Sequence, residues 1–260
     1  MGTAVAEKDG IKYLAAPKLK DAPGVVHGFL SRTRGVSTGG FSSLNFDDKR
    51  GDSPETVDRN REIFLRAFGI EGGGLITMNQ VHGGSVFAVK ESPAVMPEAD
   101  ALVTAGSGNI LGVLTADCVP ILLYDPVGKV IGVAHAGWKG TVLKVGERAV
   151  EAMEREFGSN PADIIAAIGP HIGQCCYSVK EDLVHEFKRA FPEAVNFFAE
   201  RDGGLYLDLG RANFYGLKSS GIRESNISAV FMCTSCNGDL FFSYRREKRT
   251  GRQLSFIMLR

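Results

Sequence analysis

The run ILGVLTADCVPILLYDPVGKVIGVAHAGWKGT, residues 110–141, carries three apolar segments separated by turn signals. Ile110–Leu114, Ile121–Tyr124 and Lys129–Ala134 are rich in Val, Ile and Leu and bounded by Gly, Pro and Asp. They are predicted as strands, several of them buried on both faces. A polar interruption, Thr115-Ala116-Asp117-Cys118-Val119-Pro120, separates the first two. After the third, the chain breaks at glycine and enters a helix expected over 141–157, with Thr141 as its cap and Gly158 as its stop. Val142, Val145, Ala149, Met153 and Phe157 fall at helical spacing on it.

Working outward, strands are expected at Val25–Leu30, Ser85–Val89 and Ala101–Thr104. A long Ser/Thr/Gly-rich loop covers 31–52. A helix follows, with Ser53 as N-cap, Pro54 at its first position and Gly69 at its end. A third helix near 179–191 carries a capping-box pattern, Ser178 with Glu181. The tail returns to strands at Ile227–Met232, Leu240–Ser243 and Gln253–Leu259. Helices and strands mix without strict βαβ alternation, and no repeat or linker divides the chain. An α+β fold is expected, a single layered domain of mixed β-sheets flanked by helices.

Thirty Lys+Arg balance thirty Asp+Glu, which argues against a nucleic-acid polymer as partner. The longest apolar run, Ile110–Tyr124, is broken by Asp117 and Pro120, so no membrane span is expected. The N-terminus MGTAVAEKDG has no apolar h-region, and a cytoplasmic location is expected. Without an export signal, five cysteines make a full disulfide framework improbable.

The chemistry-bearing residues start with His82 in NQVHG, Cys118 in the polar interruption and His135 in AHAGWKG. All three occupy strand-to-loop junctions flanked by small residues. Two imidazoles and a thiolate are a recognised zinc set with the fourth position left open. Their spacings, 118 − 82 = 36 and 135 − 118 = 17, match no short chelating motif. Two structural histidines and a buried free cysteine fit the residues as well.

The other thiols, Cys175-Cys176 and Cys233-Thr234-Ser235-Cys236, are expected to be structural. A four-thiolate structural zinc could be drawn from the two pairs, but adjacent cysteines are poor joint ligands for a tetrahedral ion, and the usual pattern is two separated C-x-x-C hooks. For anions, the loop Ser31–Asn45 offers Arg32, Arg34 and many backbone amides. Trp138 and Lys139 lead into a helix N-terminus, and Arg245, Arg246 and Arg252 lie near the C-terminus. Trp138 could stack on a planar ring or fill the core.

Together these strings resemble one family. NQVHG at 79–83, TADCVPILLYDP at 115–126, AHAGWKGT at 134–141, IGPHIGQCCY at 168–177 and FFSYRREKRTGR at 241–252 stand in its usual order. GFLSRTRGVSTGGFSSLNF at 28–46 matches less cleanly, because Arg34-Gly35 replaces the glycine pair expected after Arg32. Lys139 stands where arginine is more usual, keeping the charge but losing the bidentate fork. The family is the YfiH/YlmD-type proteins, long labelled laccase-domain polyphenol oxidoreductases and viewed as zinc-dependent purine nucleoside phosphorylases with adenosine deaminase activity. The resemblance covers about 24–260 and implies one such domain over 1–260. It implies that His82, Cys118 and His135 hold zinc, with copper as a substitute ion. It also implies phosphorolysis of adenosine, inosine, guanosine and S-methylthioadenosine, and deamination of adenosine.

On that basis Asp117, beside Cys118, is the nearest proton shuttle. Arg32, Asn45, Trp138, Lys139, Arg245 and Arg246 are expected to bind nucleoside and phosphate. The older oxidase label fits poorly: a blue-copper centre plus a multinuclear cluster would need more imidazoles than five histidines supply. The competing enzyme is a hydrolase with Cys118 as nucleophile and His135 or His82 as base, for example one that edits peptidoglycan precursors. A non-enzymatic partner protein with a vestigial site is the third reading.

Overall fold

The apolar segments of 110–136 form the strands Ile110–Thr115, Val119–Asp125 and Val130–Ala136, and they belong to two different sheets. The computed structural model of the chain describes residues 5–71, 74–91 and 93–260. One six-stranded sheet runs, in spatial order, Val5–Lys8, Ile11–Leu14, Val25–Leu30, Gln253–Leu259, Ile110–Thr115 and Leu75–Ile76. The other runs Ile227–Ala229, Ile165–Ile168, Val119–Asp125, Val130–Ala136, Ala101–Thr104 and Val86–Ala88. Both mix parallel and antiparallel neighbours. A small third sheet joins Ser178–Val179, Gly204–Leu207 and Phe198–Arg201. The expected α+β class with mixed sheets and flanking helices holds.

Every residue of Val119–Asp125 and Val130–Ala136 is buried. The reason is the layering. Leu122, Ile131, Val133 and Ala167 face Phe29, Leu111, Val113 and Ile257 of the first sheet. Their neighbours Val119, Ile121, Leu123 and Ala134 turn the other way, against Ala149, Met153, Ala212 and Leu217 of the helices Val145–Phe157 and Leu209–Ser219. With apolar partners on both sides, the period-2 alternation disappears from the sequence. The outer face of the first sheet, Ile11, Leu30, Ile110, Leu254 and Phe256, is covered by helix Pro54–Phe68 through Phe64, Ala67 and Phe68. Ser53 caps that helix by accepting from Thr56 N–H, and Gly69 ends it at φ +63°, as the sequence indicates.

Four expectations fail, each at an identifiable contact or backbone turn. The helix at 141–157 is two helices, Trp138–Val142 and Val145–Phe157, broken at Lys144 in the left-handed region (φ +59°). Thr141 caps nothing; its hydroxyl accepts Asn213 Nδ2–H (2.9 Å). Ser178 is a strand residue opposite Tyr206, so the capping box does not form and the helix is Glu181–Ala190. Leu240–Ser243 is not a strand, because Phe242 N–H is satisfied by the Gln253 side chain (2.9 Å). Helix Leu209–Ser219 escaped the sequence reading because Gly210 and Gly216 depress helix propensity. Packing requires both: a Cβ would lie 2.3 Å from His171 Nε2 at Gly210 and 2.4 Å from Glu147 Oε1 at Gly216. Among the described residues, no helix is long and apolar enough to cross a membrane.

Candidate active site

The chain passes from the first sheet to the second between Thr115 and Val119. At this crossing Asp117 takes φ +100°, a conformation costly for a non-glycine residue. Its surroundings hold it there. Oδ1 accepts the Thr234 hydroxyl (2.7 Å), Oδ2 accepts Arg245 N–H (2.6 Å), and its carbonyl accepts Ile172 N–H (2.9 Å). The next residue is Cys118, and His135 stands opposite Pro120 in the adjoining strand.

His82 comes from the loop after Leu75–Ile76, also at positive φ (+60°). Asp100, fully buried, fixes that loop. Its Oδ1 accepts His82 N–H (3.0 Å), and its Oδ2 accepts Gly83 N–H (2.6 Å) and Val81 N–H (3.3 Å). The same Oδ1 lies 2.8 Å from His135 Nδ1. One carboxylate therefore positions two of the three sequence-predicted ligands. With Nδ1–H directed at Asp100, His135 presents Nε2 as the free donor atom.

The donor atoms of His82, Cys118 and His135 lie within 4.8 Å of one another, with Cys118 Sγ 3.9 Å from His82 Nε2. Gly137 leaves them room: a Cβ there would sit 3.0 Å from both Cys118 Sγ and His82 Cδ2. Burial alone would push the Cys118 thiol up, but the charge and hydrogen bonds of His135 and His82 bring it below its ordinary range. Burial opposes charge on His135, yet Cys118 and Asp100 together raise it. A polarised thiol and two imidazoles, with His82 exposed to the cleft, fit a tetrahedral ion with one open position.

The trio lines a cleft of about 650 Å³, the size of a small-molecule site. Asp117, Trp138 and Arg245 line it as well, together with Tyr177 and Tyr244. The basic residues along it are Lys49, Arg50, Arg61, Arg245, Lys248 and Arg252, against the acids Asp47, Asp48 and Asp117. The surplus of positive charge is local to a chain whose total charge is zero.

Four residues expected to bind substrate are not among those lining this cleft. Arg32 pairs with Glu247 (2.8 Å) and stacks on Phe242. Asn45, fully buried, donates to the Asp47 carbonyl and Asp52, and accepts Arg252 N–H. Arg246 bonds the Thr234, Ser235 and Phe241 carbonyls. Lys139 is exposed outside the cleft lining, with its ammonium 5.5 Å from the Trp138 ring. The residues missed are Asp100, Lys49 and Arg50, whereas Arg252, one of the anion candidates of the sequence, lines the cleft. Asp100, an acid within the apolar run Ala99–Val103, carried a readable signal: a buried carboxylate demands partners. Lys49 and Arg50 sit in the 31–52 loop, four and five residues past the Ser31–Asn45 stretch singled out for anions.

The remaining thiols, Cys175, Cys176, Cys233 and Cys236, converge, all four sulfurs within 4.8 Å of one another. The other histidines stay apart from the trio. His27 accepts Ala16 N–H (2.9 Å), His171 Nδ1 faces the Gly169 carbonyl (2.8 Å), and His185 lies on Glu181–Ala190.

A family model described as multi-copper polyphenol oxidoreductase laccase matches residues 26–260. The chain is 42% identical over 251 residues to a protein of Deinococcus radiodurans named purine nucleoside phosphorylase, covering 96% of this chain and 94% of that one. It is 36% identical to the Bacillus subtilis purine nucleoside phosphorylase YlmD, over 90% of this chain and 88% of that one. The crystal structure of YlmD from Geobacillus stearothermophilus superposes with a TM-score of 0.92 at 34% identity, over 99% of both chains.

Proposed function

The chain belongs to the YfiH/YlmD family of laccase-type multi-copper polyphenol oxidoreductase proteins, and from that membership we propose that it is a zinc-dependent purine nucleoside phosphorylase. Adenosine, inosine, guanosine and S-methylthioadenosine are its substrates, and deamination of adenosine is a second activity of the same cleft. Curated relatives named purine nucleoside phosphorylase support an enzyme of this class. One observation carries the reading: the cleft holding the His82–Cys118–His135 trio is also lined by six basic residues and the rings of Trp138, Tyr177 and Tyr244.

His82, Cys118 and His135 would hold the zinc ion, which when bound would supply Lewis-acid chemistry. The chain does the rest. Lys49, Arg50 and Arg252 offer charge-assisted hydrogen bonds to phosphate, and Trp138 or Tyr177 offers a face for the purine. Asp100 keeps His135 in one tautomer. Asp117 has both oxygens engaged, so it acts as a positioning residue, holding Arg245 at the cleft, rather than as a mobile proton carrier.

The laccase label finds no support in the ligand set. Among the described residues the only imidazoles clustered for a metal are His82 and His135, too few for the multinuclear copper centre of such oxidases. A second reading rests on the alignment Cys118–His135–Asp100, the order of a cysteine hydrolase. Incubation with adenosine, with and without phosphate, separates the two. Ribose-1-phosphate formed only with phosphate, and lost on chelation, supports the phosphorylase. No phosphorolysis, with chelator-resistant hydrolysis, gives the site to the thiol.

A further inference from the structure

Four of the five cysteines take no part in the cleft. Cys175 and Cys176 lie on the turn after Ile172, where Cys176 and Tyr177 both donate backbone N–H to the Gly173 carbonyl (3.0 Å each). Cys233 and Cys236 flank a second turn, closed by Asn237 N–H on the Cys233 carbonyl (3.1 Å). Backbone pairing joins the two turns, with His171 bridged to Cys233 and Thr234 N–H bonded to the His171 carbonyl (3.0 Å).

This pairing gathers the sulfurs. Cys236 Sγ lies 3.6 Å from Cys175 Sγ and 3.4 Å from Cys176 Sγ, and all four are mutually within 4.8 Å. Metal–sulfur bonds of ~2.3 Å in a tetrahedron place sulfurs about 3.8 Å apart. A disulfide needs ~2.05 Å, and these thiols are free. The adjacent pair is competent after all, because both its thiols reach Cys236. A backbone donor joins the set: Gly173 N–H reaches Cys233 Sγ at 3.2 Å. Amide donors aimed at sulfur favour the thiolate that a metal requires.

We propose that Cys175, Cys176, Cys233 and Cys236 bind a second, structural metal ion of the zinc class, clamping the 173–177 turn to the 233–237 turn. The donor set is closed, with four thiolates and no position for substrate, as in structural rather than catalytic sites. Its placement gives it a purpose. Thr234, within the second turn between Cys233 and Cys236, donates to Asp117 Oδ1, and Arg246 holds the Thr234 and Ser235 carbonyls. Clamping the turns therefore fixes the strained Asp117 beside Cys118 from behind.

The test isolates this site from the one in the cleft, so either can fail alone. The Cys118→Ala chain, purified under reductant and loaded with zinc, is expected to retain about one equivalent after gel filtration. Loaded with cobalt(II) instead, it is expected to give the intense charge-transfer absorption of four thiolates. Chelation should lower its melting temperature and open the four thiols to alkylation. In the wild-type background, Cys236→Ser should lose one equivalent while metal bound through Cys118 remains. A folded Cys118→Ala chain that binds neither ion overturns the proposal, whatever the Cys236→Ser chain does. So does a cobalt spectrum without thiolate charge transfer, or recovery of the four thiols as disulfides from reduced, metal-loaded protein.

Discussion

Replacing Asp100 by asparagine tests whether one buried carboxylate assembles the cleft. The side chain keeps its shape, but one oxygen becomes a donor. If Nδ2 faces Val81 and Gly83, two backbone N–H groups bonded at 3.3 and 2.6 Å lose their acceptor. If it faces the other way, His82 N–H loses its acceptor. His135 must then accept through Nδ1, which moves its proton to Nε2 and removes the lone pair that would bind metal. Either orientation forfeits two bonds to a charged acceptor, each contributing ~1.5–3 kcal/mol, so the metal-free chain should lose about 3 kcal/mol of stability. Outer-shell changes of this kind weaken metal binding 10–100-fold, roughly 1.4–2.7 kcal/mol. The assay is competition against a chromophoric chelator, at a temperature where circular dichroism shows the variant folded. Metal affinity within about twofold of wild type would refute the role given to Asp100, since both orientations disturb a ligand.

Gly137→Ala places a methyl 3.0 Å from Cys118 Sγ and His82 Cδ2 at a φ of −70° that alanine accepts; phosphorolysis and metal binding should fall at least tenfold with melting nearly unchanged, and an unaffected kcat/KM would contradict this. Glu147 is buried with Oε1 unpartnered, and burial raises its pKa to about 7. Its protonated form is the favoured one, so this contribution is whole below pH 4.5 and is lost as pH rises to about 7. Glu147→Gln should therefore raise the melting temperature at pH 8 by roughly 5–10 °C, for about 3 kcal/mol, with little effect at pH 4.5. His27 is buried, desolvation lowers its pKa to about 4, and the neutral ring accepts Ala16 N–H at Nε2. Its contribution is whole above pH 6.5 and is lost as pH falls toward 4, by about 3 kcal/mol. His27→Gln should flatten the stability profile over that window in urea titrations; an unchanged slope would place the acid sensitivity elsewhere.

The fold was legible wherever an element's own residues decide it. Val25–Leu30, Ala101–Thr104 and Gln253–Leu259 have the strand limits their composition indicates, and Ser53, Pro54 and Gly69 bound their helix as capping chemistry requires. It was illegible wherever a distant partner overrides local preference. Gly210 and Gly216 look like helix breakers until His171 and Glu147 are seen filling the space of a Cβ. Ser178 looks like a cap until Tyr206 pairs with it. Arg32 and Arg246, as guanidiniums near glycine-rich turns, looked like anion binders; both are consumed by Glu247 and backbone carbonyls.

The ligand spacings, opaque as a motif, are consequences of sheet register. Strands Val119–Asp125 and Val130–Ala136 pair so that partner numbers sum to 255, as in Pro120 with His135 and Val119 with Ala136. Extending the register by one rung sets Cys118 opposite 255 − 118 = 137, the glycine whose Cβ would touch Sγ. The separation of 17 residues is thus one hairpin closed by the Asp125–Lys129 turn. The separation of 36 has a parallel origin. Ile76 pairs with Leu111 in parallel strands, so both chains run toward the same sheet edge. Six residues further on stands His82, and seven further on stands Cys118 (82 − 76 = 6; 118 − 111 = 7). Two ordinary pairings, one antiparallel and one parallel, deliver all three donors to one edge. Long gaps between ligands are what such an assembly requires, whereas a short chelating motif places two donors on one turn, as at Cys233 and Cys236.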